Sequence, residues 1–183
     1  MASYDAELLE AARLLLARPE GLRGKLPGAR IRRSISTSYY ALFHFLIEEV
    51  GRRVVGTHLR RRRILSRTIS HTGAKAALAK VRGAAVDPSV EEFLRSPATA
   101  TGPVVPPRFV RELARVFADA QAKRHDADYD MNKPLSEADA RLLSARIASV
   151  IQAWRDAESA ADRDFKHALC VLILLKGQLR QDS

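Results

Sequence analysis

Cysteine is almost missing from this chain. Cys170 is the only one in 183 residues, which excludes an internal disulfide framework and any zinc site built on cysteines. Aromatic residues are scarce too, at 6%, so a core has to be assembled mainly from Leu, Ile, Val and Ala. No uninterrupted apolar stretch approaches the roughly 20 residues of a membrane-spanning helix. The longest, Ala168 to Leu175, has eight residues. The opening residues, MASYDAELLEAARLLLAR, interleave acids with apolar side chains and lack a cleavable signal pattern. There is no phosphate-cradling glycine loop, no G-x-S-x-G, and no histidine pair with the spacing of a zinc-binding helix. His44, His58, His71, His125 and His167 are scattered. The expectation is a cytoplasmic protein without membrane attachment, resident metal or cofactor.

Charge is present in abundance and unevenly placed. The formal net charge is +10. Residues 1–86 hold 17 Lys and Arg against 6 Asp and Glu, whereas residues 87–183 hold 14 against 15. The whole excess lies in the first half, which points to a polyanionic partner, nucleic acid before membrane. A solubilising basic surface with no specific ligand is the plainer explanation. With 46% apolar and 28% charged residues, the composition is that of a globular chain, and its length suits a single domain over residues 1–183.

The apolar pattern repeats at three and four residues nearly everywhere, which predicts helices. The first runs from Tyr4 to Arg18, capped by Ser3 and stopped by Pro19-Glu20-Gly21. A second, Ala29 to about Val50, is apolar on most sides, as a central helix touched by several neighbours must be; Gly51 is its expected stop. Two short helices, about Thr57 to Ile69 and Gly73 to Val81, are expected next. A proline-punctuated stretch from about Gly83 to Pro107 follows, with Pro88, Pro97, Pro103 and Pro106 and a helical turn at Ser89 to Leu94. Pro107 opens a long helix that ends near Tyr129. Ser136-Glu137-Ala138-Asp139 has the form of a capping box that opens another, lined by Leu143, Ile147, Val150, Ile151 and Trp154. The pattern weakens at Asp156 to Asp164 and resumes in FKHALCVLILLKGQL. The expected fold is all-α: an up-and-down bundle of four main helices with one or two short extra helices.

Two distant segments carry chemistry. Ser38-Tyr39-Tyr40-Ala41-Leu42-Phe43-His44 lies inside the second helix, and Arg124-His125-Asp126-Ala127-Asp128-Tyr129 ends the long helix after Pro107. Together they resemble the HEPN superfamily of small helical bundles, in particular the subgroup with S-x-Y-Y-A-x-F-H on one helix and R-x-x-A-D-Y on a later one. His71-Thr72-Gly73 is similar to that subgroup's H-x-G before a short helix. The resemblance spans about Ala29 to Trp154. It implies RNA work: a metal-independent endoribonuclease, often the toxin of a toxin–antitoxin or defence system whose antitoxin is a nucleotidyltransferase, with a site shared across a homodimer. The site of that family combines an Arg, a polar neighbour and a His five to seven positions after the Arg. Here Arg124 is followed by His125, but the fifth position holds Tyr129, then Asp130 and Met131.

The residues admit the same chemistry on their own terms. Metal-free RNA cleavage needs a proton acceptor, a proton donor and a cation for the charge on phosphorus. Arg124 offers a planar fork for phosphate, His125 a titratable ring, and Asp128 or Tyr129 a group that orients water or a ribose hydroxyl. Arg124 and Asp128 stand at i and i+4, so an intrahelical ion pair explains them as well, and capping of a buried helix end explains Asp128 and Tyr129. Tyr40 and His44 share one face and can border one pocket; on an apolar helix a histidine is more often a core residue.

Arg60, Arg63 and Arg67 fall in one helical row, a candidate rail for nucleic-acid phosphates, while Leu59, Leu65 and Ile69 are expected to meet the core. No aromatic residue lies among these arginines, so base stacking is not encoded there. The run Ala168 to Leu175 is either a fully buried helix or a dimer interface. The alternative to an enzyme is a non-catalytic RNA-binding or protein-assembly subunit.

Overall fold

The computed structural model describes residues 3–18, 20, 21, 23–96 and 102–179. Pro19 and Pro97, read above as a helix stop and a loop marker, lie outside the described residues. The described residues form eight α-helices and no strand. These are α1 (Tyr4–Leu15), α2 (Gly28–Val55), α3 (Leu59–Ser66), α4 (His71–Ala79), α5 (Pro88–Leu94), α6 (Arg108–Tyr129), α7 (Glu137–Asp156) and α8 (Ala160–Leu174). The all-α class follows directly. Five helices have 12 or more residues and three have seven to nine, one long helix more than the pattern predicts. Ser159 makes the difference. Its hydroxyl accepts from the Asp162 backbone N–H at 3.1 Å, so α8 opens with its own cap where the apolar pattern is weakest.

Two compact units divide the chain: Met1–Phe45 with Val116–Gln152, and Leu46–Arg115 with Ala153–Ser183. In the first, α2 contributes buried Ile31, Ile35, Tyr39 and Leu42, α6 contributes Phe117 and Ala120, and α7 contributes Leu143, Ile147 and Ile151. The Tyr39 and Phe117 rings meet with centroids 5.7 Å apart, and burial pushes the Tyr39 hydroxyl well above the usual tyrosine range. The C-terminal end of α1 is held by Arg30 of α2, whose guanidinium donates to the carbonyls of Leu14, Leu15 and Ala17. The capping box at α7 is reciprocal: Ser136 Oγ accepts from the Asp139 N–H at 3.0 Å, and Asp139 accepts from the Ser136 N–H at 3.2 Å.

Gly51 does not stop α2. Glu49 binds Arg52 and Arg53 one turn on, which carries the helix to Val55. The stop is Gly56, at φ +62°, with its N–H on the Arg52 carbonyl. Leu59 does not meet the core either; it is 77% exposed while Ile69 is buried. Six residues apart, Leu59 and Leu65 point in directions about 120° apart on a helix, so a register that half-buries Leu65 turns Leu59 outward.

In the second unit, α4 and α5 pack on α8, and Leu169, Cys170, Leu172 and Ile173 are buried. The apolar run of α8 is thus covered largely by its own chain. Burial raises the Cys170 thiol to about 12. The turn after α8 presses against α4: a Cβ on Gly177, at φ +73°, would lie 3.0 Å from the Ala77 nitrogen. A polar cluster crosses this core. Trp154 Nε1 donates to Glu49 at 2.7 Å, and Arg53 Nε reaches the same oxygen at 3.0 Å. Lys166, with no exposed surface, binds the Ala157 carbonyl and Glu158, its ammonium 5.4 Å from the Phe109 ring and 5.5 Å from the Trp154 ring.

Burial opposes the charge of Glu49, but hydrogen bonds from Trp154, Arg52 and Arg53 outweigh it and hold the carboxyl below its usual range. A carboxyl depressed in the folded chain stabilises it above the unfolded pKa and loses that contribution as pH falls through the folded value. Glu49→Gln should therefore lower stability at pH 7 by about 3 kcal/mol, the scale of a broken buried pair. The gap to the parent should close as pH falls below about 4. Urea unfolding of both proteins between pH 7 and pH 3 measures this.

Candidate functional site

The end of α6 breaks a rule of helix electrostatics. Its last turn carries no basic residue and holds Asp126 and Asp128, although the C-terminus of a helix is its negative end. Cations from elsewhere compensate. Arg32 of α2 donates to five carbonyls there, those of Asp126, Ala127, Asp130, Met131 and Lys133, at 2.8–3.2 Å. Lys133 lies 3.8 Å from Asp126. Arg124, one turn back, meets Asp128 at 2.6 Å through Nε. Ser36 Oγ, buried on α2, donates to the other Asp128 oxygen at 2.5 Å.

These contacts bring the two motif segments together. Arg124 Nη2 donates to Tyr40 Oη at 3.2 Å, across 84 positions of sequence. The guanidinium carbon lies 5.7 Å from the centre of the Tyr40 ring and 5.4 Å from that of Tyr129, a cation between two π faces. Burial works against its charge, but the neighbouring Tyr40 and Asp128 more than offset this and raise its pKa. Nη2 thus reaches Tyr40, while the buried Nε, although 2.6 Å from Asp128, makes no well-formed hydrogen bond among the described residues.

The i, i+4 pair of Arg124 and Asp128 is thus real, but it is one link of a longer network. The capping reading of the same turn needs correction: Tyr129 is 65% exposed, and Arg32 does the capping. A planar five-donor fork satisfies several carbonyls at once, which a phenol cannot. Tyr129 instead lies against the His125 ring, centroids 5.1 Å apart, and His125 is itself exposed. His44 is half-buried, 6.4 Å from the Tyr40 ring and 5.0 Å, edge to face, from that of Tyr4 on α1.

Three contributors escaped the sequence reading: Tyr4, Arg32 and Ser36. Arg32, Ser36 and Tyr40 are spaced four apart, polar positions on one side of an otherwise apolar helix, and that spacing is the signal that marks them. A groove of about 450 Å³ between α1 and α7, lined by Ala6, Leu9 and Ala145 among others, contains none of the predicted residues. His71-Thr72-Gly73 forms the first turn of α4, not a step before it, with the Gly73 N–H on the Ser70 hydroxyl.

In the other unit, α3 buries no residue. Arg60, Arg63 and Arg67 are all exposed, as is Arg61, while Arg62 lies along Gly51, its Cγ 3.4 Å from where a Cβ there would stand. None of the exposed four has an acidic partner among the described residues. Among those residues no three His, Cys, Asp or Glu side chains come together as a metal site, and no helix is long and apolar enough to cross a membrane.

No protein-family model matches the chain, and comparisons with curated proteins and with solved structures find no significant match.

Arg32→Ala should uncap α6 and leave its last turn frayed, at a cost of about 2–3 kcal/mol, the range for hydrogen bonds from a charged group. Arg32→Lys should recover less than half, because an ammonium cannot span carbonyls on both sides of the turn. Thermal unfolding, with amide exchange at residues 126–130, reads both effects.

Proposed function

We propose that the chain is an HEPN-like, RNA-associated protein of the cytoplasm, acting as a homodimer, in which Arg124 holds a phosphate of the bound strand. The meeting of Tyr40 and Arg124 carries this reading. Two stretches that resemble separate HEPN motifs supply the two sides of one polar constellation. The planar guanidinium of Arg124 is suited to a phosphate oxygen, and the exposed arginine row on α3, in the other unit, suits a polyanion in its own right.

The cleavage proposed for this arrangement is metal-independent. The ribose 2′-hydroxyl gives its proton to a base, and its oxygen bonds to phosphorus. The bond from phosphorus to the 5′-oxygen breaks, and that oxygen takes a proton from an acid. Imidazole is the side chain that exchanges protons near neutral pH, which assigns His125 to one transfer. Tyr129, against its ring, serves the other, and Arg124 neutralises charge that grows on the phosphate oxygens. In a toxin–antitoxin setting the partner is a nucleotidyltransferase.

One observation favours a second reading, a non-catalytic RNA-binding or assembly subunit. Asp128 pairs with Arg124 at 2.6 Å, and the residue five positions after Arg124 is Tyr129 where the related pattern has His.

Purified protein incubated with labelled RNA in EDTA separates the two. Cleavage that persists in chelator and falls at least about 100-fold in Arg124→Ala supports the enzyme. Binding without cleavage supports the second reading, and no binding by the parent protein rejects both. Replacing Arg60, Arg63 and Arg67 together by Gln should weaken binding by a similar factor on every RNA sequence. It should also reduce the slope of log affinity against log salt by about 2 to 3; an unchanged slope removes α3 from the interface.

A further inference from the structure

A continuous track of rings runs through Arg124. Starting on α1, the Tyr4 ring lies 5.0 Å from His44 and His44 lies 6.4 Å from Tyr40. The Tyr40 ring is 5.7 Å from the Arg124 guanidinium, which is 5.4 Å from Tyr129, and Tyr129 lies 5.1 Å from His125. All six residues belong to one compact unit. Tyr40, His44 and Arg124, in the middle of the track, are half-buried. Yet Tyr4 is 50% exposed and Tyr129 65% exposed, one on each side of the cation along the track.

We infer that this track takes single-stranded RNA, with bases stacked on Tyr4 and Tyr129 and the intervening phosphate on Arg124. The inference rests on the RNA reading above and adds the strandedness of the ligand and the two residues that select it. The physical reason is access to base faces. In a duplex each base is covered above and below by its neighbours, so an exposed protein ring has nothing to stack on. In a single strand the faces are free, and aromatic side chains take them regardless of sequence. The arginines of α3 offer no such selection, because phosphate contacts are made with either form.

Fluorescence anisotropy with a labelled 12-nucleotide RNA, the same strand in duplex, and a 12-nucleotide strand of abasic units tests the assignment. Tyr4→Ala and Tyr129→Ala should each weaken single-strand binding about 5- to 100-fold. Tyr4→Phe and Tyr129→Phe, which keep the ring, should stay within about twofold of the parent. Tyr4→Ala, which leaves the surroundings of Arg124 intact, should not change binding to the duplex or to the abasic strand, whose phosphates are intact. Circular dichroism melts of the variants confirm that the fold survives removal of two exposed rings. If the parent binds the single strand but the alanine variants bind it equally well, the stacking assignment is overturned and the RNA reading stands. Phenylalanine variants as weak as the alanine ones, or duplex binding equally sensitive to Tyr4→Ala, also overturn it. If the parent binds no RNA, both fall together.

Discussion

Two aspartates at the negative end of α6 set the problem that the surrounding residues solve. Left alone, Asp126 and Asp128 would oppose the helix dipole and the exposed carbonyls of the last turn. Arg32 supplies positive charge to those carbonyls, and Arg124 and Ser36 hold Asp128 from two directions. The same contacts fix the end of α6 against α2, and so bring Arg124 to Tyr40. The repair combines Arg124 and Lys133 of the same segment with Arg32 and Ser36, about 90 positions away. It is also why the candidate site lies at a helix terminus and not in the apolar groove beside α1.

The second unit solves a comparable problem differently. Glu49 and Lys166 bring opposite charges into a core of Trp154, Phe109 and Cys170, each satisfied by several partners. Removing one partner would strand the other in a medium of low dielectric, so the cluster enforces one arrangement of the side chains around it. Its groups are enclosed, and no ligand chemistry needs to be invoked for them. The Arg124 constellation, by contrast, leaves the Tyr129 and His125 side chains exposed.

The abundance of arginine is a poor guide to where a polyanion would bind. Arg30, Arg32 and Arg141 are engaged with backbone carbonyls. Arg13, Arg53, Arg95, Arg115 and Arg146 are engaged with carboxylates. These side chains hold helices and their ends together. Arg60, Arg61, Arg63 and Arg67 of the α3 region differ: they have no acidic partner among the described residues, and their charge faces solvent.

Periodicity and charge determined a good deal unaided. The all-helical class, the buried face of α7, the capping box at Ser136 and the shared row of Arg60, Arg63 and Arg67 all follow from spacing, because helix geometry turns spacing into direction. Tertiary structure alone decided that α2 runs through Gly51, that Leu59 faces outward, that Arg32 is a cap and Tyr129 an exposed ring, and that Tyr4 joins the site. Each of these depends on which side chain from a distant segment arrives to satisfy a charge, a carbonyl or a ring face. Distances through space between segments far apart in the chain are set by packing, which local spacing does not encode.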